Sequence, residues 1–257
     1  MNNKNLDIFF DVGAHKGEFS EFIISKNPNA KIFIIDPLTD QLKRFKNNNN
    51  LKIIDKVITN RHPAGTVIDY FKYTNSELSS LLKIKEDSVI DTVWRNHKEA
   101  YENFEKMEVQ TETLKNIIDE NLITNISFLK IDAQGEDLNV ILSSGDRSDI
   151  INSFVIEAAY EDTLSLYENE EKYQETINKL FESEFIPVRI VPNGGGECNI
   201  FFYNKNFGLE KYFELERKYD FRNAPTLKLN NFSVYGSNVT MRDLLSGLKK
   251  FLLRPFN

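Results

Sequence analysis

A short loop near the start of the chain combines the residue types that hold a nucleotide-like cofactor. In DVGAHKGEFS an apolar run ends at Asp11, and the glycines Gly13 and Gly17 precede a segment of helical periodicity. A strand, a glycine turn and a helix in this order aim backbone N–H groups and the positive end of the helix at a ligand above the carboxyl edge of a sheet. The loop therefore predicts a nucleotide-type binding site.

The spacing of the glycines indicates which cofactor this site takes. In GAHKG they stand four residues apart, without the third glycine of G-x-G-x-x-G that lets a pyrophosphate approach closely. This disfavours the rival enzyme class, an NAD-dependent oxidoreductase. An acid before the glycines repels a pyrophosphate but accepts hydrogen bonds from the amino-acid portion of S-adenosylmethionine. We predict that this cofactor contacts Asp11, Gly13, Ala14, His15 and Gly17, with the His15 ring directed either at the cofactor or at solvent.

A second acid ends the next apolar run, KIFIIDP. Asp36 follows the glycine loop by about 20 residues, the distance at which an acid accepts hydrogen bonds from the hydroxyls of an unphosphorylated ribose. The alternative is that Asp36 only caps a turn before Pro37. Because Asp36 stands at this distance from the glycine loop, the ribose role is the stronger prediction.

A third polar group lies in FLKIDAQGEDLNVI. Side chains alternate along a strand, so Lys130 and Asp132 share one face at the carboxyl end of their strand. Asp132 there would orient or deprotonate an acceptor hydroxyl, whereas the alternative is that Lys130 pairs with an acid and both only position the turn that follows. Glu157, which ends the next strand, either lines the same pocket or is structural. We predict Asp132, Lys130 and Glu157 as the catalytic group.

Apolar runs alternate with helical patterns along most of the chain. Buried strands are predicted around residues 6–13, 31–37, 51–59, 126–135 and 152–160, with helices between them, one beginning at Thr39 as N-cap and one closed by Gly145. Such continuous apolar strands indicate a parallel sheet covered on both faces. A hairpin over FIPVRIVPNGGGECNIFFYNK makes one edge antiparallel. We predict an α/β, Rossmann-like class I methyltransferase fold with a seven-stranded, mostly parallel sheet.

Two regions depart from this pattern. Residues 74–106 are polar and carry aromatic residues, and we treat them as an insertion in a domain of residues 1–207. Residues 208–257 form a C-terminal extension, whose last 18 residues predict a basic amphipathic helix. This helix packs on its own domain, on a partner subunit or on an anionic membrane surface.

Composition limits the function classes. The chain has 257 residues, a net charge of −7 and a sequence pI of about 5.2, which disfavours nucleic-acid binding. One cysteine excludes an internal disulfide, and three scattered histidines make no spaced set of metal ligands, so no metal is predicted. No apolar stretch is long enough to span a bilayer, and we see no signal peptide. The expected location is the cytoplasm.

Four segments together resemble the FkbM family of S-adenosylmethionine-dependent methyltransferases, over roughly residues 7–205: DVGAHKGEFS, IIDP, VQTETLKNII and ISFLKIDAQGEDLNVI. Lys130, Asp132, Gly135 and Glu136 fit the family pattern of the last segment. Two positions depart from it, because Gln134 replaces a usual glutamate and Asp36 a more common glutamate.

The resemblance implies O-methylation of a hydroxyl, commonly of a sugar in a glycan, a polysaccharide or a glycosylated metabolite. It also places a serine-rich segment before the insertion, and NSELSSLL, with Ser76, Ser79 and Ser80, is similar to it. That segment either flanks the acceptor pocket or forms a capped loop. The alternative to an enzyme is a non-catalytic scaffold that docks on a partner or membrane through the C-terminal helix.

Overall fold

The structure is a computed structural model that describes residues 6–85, 101–159, 165–171, 173–194, 197–225 and 227. Much of the predicted insertion (86–100) and the predicted C-terminal helix (240–257) lie outside the described residues. None of the helices in the described ranges combines the length and the apolar character needed to cross a membrane.

The described ranges contain ten strands and five α-helices. The strands are β1 (Ile8–Val12), β2 (Lys31–Ile35), β3 (Leu51–Ile54), β4 (Val57–Ile58), β5 (Val67–Tyr73), β6 (Phe104–Glu112), β7 (Phe128–Ile131), β8 (Ser153–Ala159), β9 (Phe185–Gly194) and β10 (Glu197–Asn204). The α-helices are α1 (Glu18–Lys26), α2 (Leu114–Glu120), α3 (Asp137–Leu142), α4 (Tyr173–Glu182) and α5 (Leu209–Tyr219).

Seven strands form the central sheet in the order β3-β2-β1-β7-β8-β10-β9. The strands β3, β2, β1, β7 and β8 run parallel, and β10 runs antiparallel to both of its neighbours. The predicted α/β fold with a mostly parallel sheet and an antiparallel edge hairpin is confirmed.

Two hydrophobic cores cover the two faces of this sheet, because neighbouring residues of a strand point to opposite faces. In β1, Phe10 packs in the core with α2, α3 and α4, and Phe9 packs in the core with α1 and α5. The second core includes Tyr219 at the end of α5 and Phe221, whose ring stacks on Phe128 with centroids 4.1 Å apart. The start of the C-terminal extension is therefore part of the layer that covers the sheet.

Several local predictions were wrong. The segment 51–59 is two strands, because the polar Asp55 and Lys56 separate β3 from β4, which leaves the central sheet to pair with β6. The segment 39–45 is a 3-10 helix preceded by Leu38, so Thr39 is its first residue and not its N-cap. The helix over 136–145 ends at Leu142, and Gly145 begins a separate 3-10 helix.

A second sheet of three strands, in the order β4-β6-β5, was not predicted. It includes β6, whose first residues fall within the predicted insertion. Residues 74–85 follow β5, and Ser76 of this stretch contacts His15 of the glycine loop.

The sheet core should dominate stability. Leu129→Ala empties a fully buried position in β7, and we expect a loss of about 2–5 kcal/mol in the free energy of unfolding. Leu122→Ala is the matched control, because Leu122 is 84% exposed and its truncation should change stability by less than about 0.5 kcal/mol. Urea unfolding measures both, and equal losses would contradict this assignment of the core.

Candidate functional site

The polar residues singled out in the sequence meet at the carboxyl edge of the central sheet. Strand pairing places Asp11 of β1 directly beside Lys130 of β7, and the β2 strand that leads to Asp36 pairs with the other side of β1. In a sheet of this kind, ligands bind in the crevice outside the carboxyl ends of the strands. The structure thus brings Asp11, Lys130 and Asp36 to one edge.

The ammonium group of Lys130 connects the two central loops. Its Nζ donates to the Gly13 carbonyl at 2.9 Å and lies 3.2 Å from Asp132 Oδ2 and 3.6 Å from Asp11 Oδ1. Burial alone would lower the pKa of Lys130, but the charges of Asp132 and Asp11 outweigh it, and the pKa is raised. Lys130 therefore stays protonated, which suits a positioning role and does not suit a base.

Asp11 is fully buried beneath the glycine loop. Its Oδ2 accepts hydrogen bonds from the Ser20 hydroxyl at 2.7 Å and the Ser20 backbone N–H at 3.2 Å, which ties β1 to the first turns of α1. Burial raises the pKa of Asp11, although Lys130 and Ser20 oppose the shift. The Oδ1 atom takes no hydrogen bond from the residues that the structure describes.

The two glycines of the loop are required by protein contacts. Gly13 has φ +67°, and a Cβ there would lie 1.8 Å from the Asp132 carbonyl oxygen, because the two loops cross at this point. Gly17 has φ +72° and precedes α1, and a Cβ there would lie 2.5 Å from the Phe45 ring. Ala14, between them, is buried in the core beneath the loop.

Asp36 is 6% exposed and bonds two backbone groups. Its Oδ2 accepts from the His15 N–H at 2.8 Å, and its Oδ1 accepts from the Leu38 N–H at 2.7 Å. The bond to Leu38 is the turn cap that the sequence left open as an alternative, and the bond to His15 joins Asp36 to the glycine loop. Burial raises the pKa of Asp36, with both N–H groups opposing the shift.

The His15 ring lies against the serine-rich segment. Its Nε2 is 2.8 Å from Ser76 Oγ, and Lys16 pairs with Glu77 at 3.5 Å. Burial, followed by the nearby charge of Lys16, lowers the pKa of His15, so its imidazole is neutral near pH 7. The ring is thus neither fully in solvent nor free of protein contacts.

Residues 76–84 touch both loops of the site. Besides the contact of Ser76 with His15, Ser80 Oγ donates to the Gln134 carbonyl at 2.6 Å. Ser79 Oγ accepts from the Tyr73 N–H, which holds the segment to the end of β5. Ser76 thus contacts the predicted cofactor side and Ser80 the predicted acceptor side, while Ser79 anchors the segment.

Asp132 is partly accessible at this edge. Its side chain is 34% exposed, and its two oxygens contact Lys130 and the Gln134 amide. Glu157 lies in β8, which pairs with β7, and its backbone N–H donates to Asp137 Oδ1 at 2.9 Å. Of the three predicted catalytic residues, the buried Lys130 and the half-buried Asp132 are therefore in direct contact.

Sequence reasoning missed three residues of this edge. Asp137 accepts from the backbone N–H groups of Ala133 and Glu157, and burial raises its pKa to about 7. Tyr167 is buried and donates to Gln134 Oε1 at 2.6 Å. Burial and the charge of Glu170 raise the pKa of Glu197, at the start of β10. The position of Asp137, directly after Glu136 in QGED, was a signal for this residue, whereas nothing local marks the other two.

Among the residues that the structure describes, no group of three or more histidine, cysteine, aspartate or glutamate side chains is arranged to hold a metal ion. The only described cysteine, Cys198, is buried in the core.

The strand order, the antiparallel β10 and the glycine loop after β1 define a Rossmann-like class I methyltransferase fold. The family model of the methyltransferase FkbM domain matches residues 11–186, well over half of the chain. The chain therefore belongs to the FkbM methyltransferase family.

Two solved structures illustrate the other matches. The pyocyanin biosynthetic protein PhzM is 10% identical with a TM-score of 0.40, and an O-methyltransferase family 2 protein from Planctomyces limnophilus, in complex with apigenin, is 9% identical with a TM-score of 0.40. Each alignment covers 79% of this chain and 52% of the other, so the chain spans about half the length of these proteins. The curated proteins gave no significant match.

The close approach of Gly13 to the Asp132 carbonyl can be tested directly by substitution. Gly13→Ala places a methyl group against the Asp132 carbonyl in addition to straining a positive φ, so we expect the protein to lose several kcal/mol of stability or not to fold. Gly208→Ala is the control, because Gly208 also has a positive φ but no atom lies within 4 Å of the added Cβ. It should cost only about 1–3 kcal/mol in unfolding free energy, because backbone strain is its single penalty. Similar unfolding midpoints for the two variants would contradict the close contact between Gly13 and the Asp132 carbonyl.

Asp137 should make stability depend on pH. A carboxyl group whose pKa is raised in the folded state binds more protons there than in the unfolded chain, so its contribution is full below about pH 4 and is lost as pH rises through about 7. The full loss is on the order of 4 kcal/mol. In urea unfolding at pH 5 and pH 8, Asp137→Asn should flatten this decline. Asp149 is exposed, so the control Asp149→Asn should keep the wild-type fall in unfolding free energy between pH 5 and pH 8. An equal fall in Asp137→Asn and the wild type would refute the raised pKa of Asp137.

Proposed function

We propose that the protein is an S-adenosylmethionine-dependent O-methyltransferase that methylates a hydroxyl of a sugar, in a glycan, a polysaccharide or a glycosylated metabolite. The observation that carries the proposal is the junction of the two loops at the sheet edge. There Lys130 bonds the Gly13 carbonyl of the glycine loop and contacts Asp132 of the acceptor side. A cofactor over the first loop would therefore face an acceptor over the second.

The residues at the edge fit the cofactor. A carboxylate has about four acceptor positions, and each oxygen of Asp36 uses one for a backbone N–H. One position on each oxygen remains for a ribose hydroxyl. Asp11 Oδ1 is a buried acceptor without a hydrogen bond from the described residues, and it lies beneath the loop predicted to hold the amino-acid portion. The bound cofactor would supply a methyl group on a sulfonium.

Asp132 would act on the acceptor. Its partly exposed carboxylate can accept the hydrogen bond of a hydroxyl and take its proton as the oxygen is methylated. Lys130, held as an ammonium ion, would orient that carboxylate without exchanging protons itself. Glu157, which lies on the adjacent strand β8, would contact another hydroxyl of the acceptor. Most of the rate enhancement would come from positioning, because methyl transfer requires the acceptor oxygen in line with the donor.

Segment 76–84 would limit the access of water to the transfer. It reaches the cofactor side through Ser76 and His15, and the acceptor side through Ser80 and Gln134. Bonded to both loops in this way, the segment would shield their junction and leave the remaining edge for the acceptor.

The proposal includes the choice of partner and compartment. A chain of net charge −7 suits a neutral carbohydrate better than a nucleic acid. A cytoplasmic location agrees with its single, buried cysteine. Contact with a membrane or with a second subunit through residues 240–257 remains a proposal made from the sequence.

Calorimetric titration tests the cofactor. Purified protein is titrated with S-adenosylhomocysteine and, under the same conditions, with NAD. Binding of S-adenosylhomocysteine without binding of NAD would support the proposal, and a screen of sugar acceptors with labelled S-adenosylmethionine would then test the acceptor class. Binding of NAD alone would indicate an oxidoreductase, and binding of neither would indicate a non-catalytic scaffold.

The ribose role of Asp36 gives a matched prediction. Asp36→Ala should weaken the binding of S-adenosylhomocysteine by about 1–3 kcal/mol, because the ribose hydroxyls lose their acceptor. Asp40→Ala is the control, since Asp40 lies in the following 3-10 helix, is 89% exposed and pairs only with Lys43 among the described residues. Affinities are compared by calorimetry after circular dichroism confirms folding. Equal affinity of Asp36→Ala and Asp40→Ala would exclude the ribose assignment.

A further inference from the structure

Gln134 bonds two side chains from different parts of the chain. Its Nε2 donates to Asp132 Oδ1 at 2.7 Å, and its Oε1 accepts from the Tyr167 hydroxyl at 2.6 Å. Its backbone carbonyl accepts from Ser80. One residue therefore joins the acid of the acceptor side to residues 165–171 and to segment 76–84.

The backbone of Gln134 is held in an unfavourable conformation. Its φ is +52°, in the left-handed region, and the following Gly135 has φ +89°. A side chain with a Cβ rarely adopts this region, and it persists where the surroundings fix it. A Cβ at Gly135 would lie 3.0 Å from the Tyr167 ring, so the turn is packed tightly against the residue that bonds Gln134.

The two partners determine the direction of the carboxamide. An ionised carboxylate only accepts hydrogen bonds, so Asp132 needs the NH₂ end. Tyr167 keeps its proton, because burial and the charges of Glu197 and Glu157 raise its pKa well above the ordinary value. Its hydroxyl, shared between the Leu78 carbonyl and Gln134, therefore meets the oxygen end. A side chain with both a donor and an acceptor satisfies this geometry, and a carboxylate does not.

We propose that Gln134 is a positioning residue for methyl transfer, whose amide orients the Asp132 carboxylate by donating a hydrogen bond to its Oδ1. With a carboxylate in place of the amide, two carboxyl groups at hydrogen-bond distance would have to share a proton. The inference rests on the proposed function, because Asp132 needs to be an ionised acceptor only if it receives a proton from a hydroxyl.

Other charged and titratable groups also interact electrostatically with Asp132, and they are the same residues in the wild type and in each variant. They come from β1, the glycine loop, β5, β7, α3 and β10: Asp11, His15, Tyr70, Lys130, Asp137 and Glu197. A change seen on substituting residue 134 alone is therefore assigned to that residue.

The test measures the protonation of Asp132 directly. Protein labelled with ¹³C at the aspartate carboxyl carbons is titrated by NMR, and the Asp132 signal is assigned with Asp132→Asn. In Gln134→Glu we expect the protonation midpoint of Asp132 to move upward by about one pH unit or more. The control Gln174→Glu makes the same change on the exposed surface of α4 and should leave the midpoint in place. A midpoint in Gln134→Glu equal to the wild-type value would overturn the proposal.

A second variant covers the case in which Gln134→Glu does not fold. Gln134→Met keeps the length of the side chain and removes both hydrogen bonds without adding a charge. Its Asp132 midpoint should also move upward, though by less, and an unmoved midpoint in this variant would equally overturn the proposal.

Calorimetry separates this inference from the proposed function. Wild-type protein, Gln134→Glu and Gln134→Met should bind S-adenosylhomocysteine with equal affinity, since Gln134 belongs to the acceptor side. A weakened affinity in the variants would indicate a structural role and contradict the proposal. Absence of binding by the wild type would refute the proposed function alone, because the NMR titration reports the contact between Gln134 and Asp132 without any ligand.

Discussion

The buried ammonium group of Lys130 holds together the two loops on which the site depends. An isolated buried charge is costly, and Lys130 is stabilised only because the Gly13 carbonyl and two carboxylates surround it. One of these, Asp11, in turn bonds Ser20, so the contact extends from β7 through β1 into α1. The geometry of the glycine loop is thus set by protein groups beneath it before any ligand binds.

The central sheet was predictable because its strands are buried on both faces. Runs such as IFFDV and KIFII can be recognised as strands from the local sequence, because such largely apolar runs are typical of parallel strands buried on both faces. The strand β6 gave no such signal, because its residues Phe104 to Glu108 are exposed or half-buried and only Val109 and Thr111 are buried. Its identity depends on pairing with β5, which the local sequence does not encode.

The same distinction applies to the site. Asp11 lies near the end of β1, and Gly13 and Asp36 directly follow β1 and β2, so their place at the sheet edge follows from the order of the elements. The contacts that give these residues their roles do not follow from the order of the elements. That Gly13 faces the Asp132 carbonyl, or that Tyr167 bonds Gln134, depends on how distant segments cross, and Tyr167 stands in a polar stretch without helical or strand periodicity. Residue type and spacing therefore locate the site, while its internal connections come from tertiary packing.

The balance of charge at the sheet edge follows from these connections. Several acids meet there beside one buried cation, an arrangement that would repel itself if every carboxyl group were ionised. Burial raises the pKa of Asp137 to about 7 and also raises that of Glu197, so both carry protons for much of the neutral range. The two oxygens of Asp132 contact the donors of Lys130 and Gln134. Acids in such different environments can supply both hydrogen-bond donors and acceptors at one edge of the sheet, a combination that the methyl transfer proposed above would use.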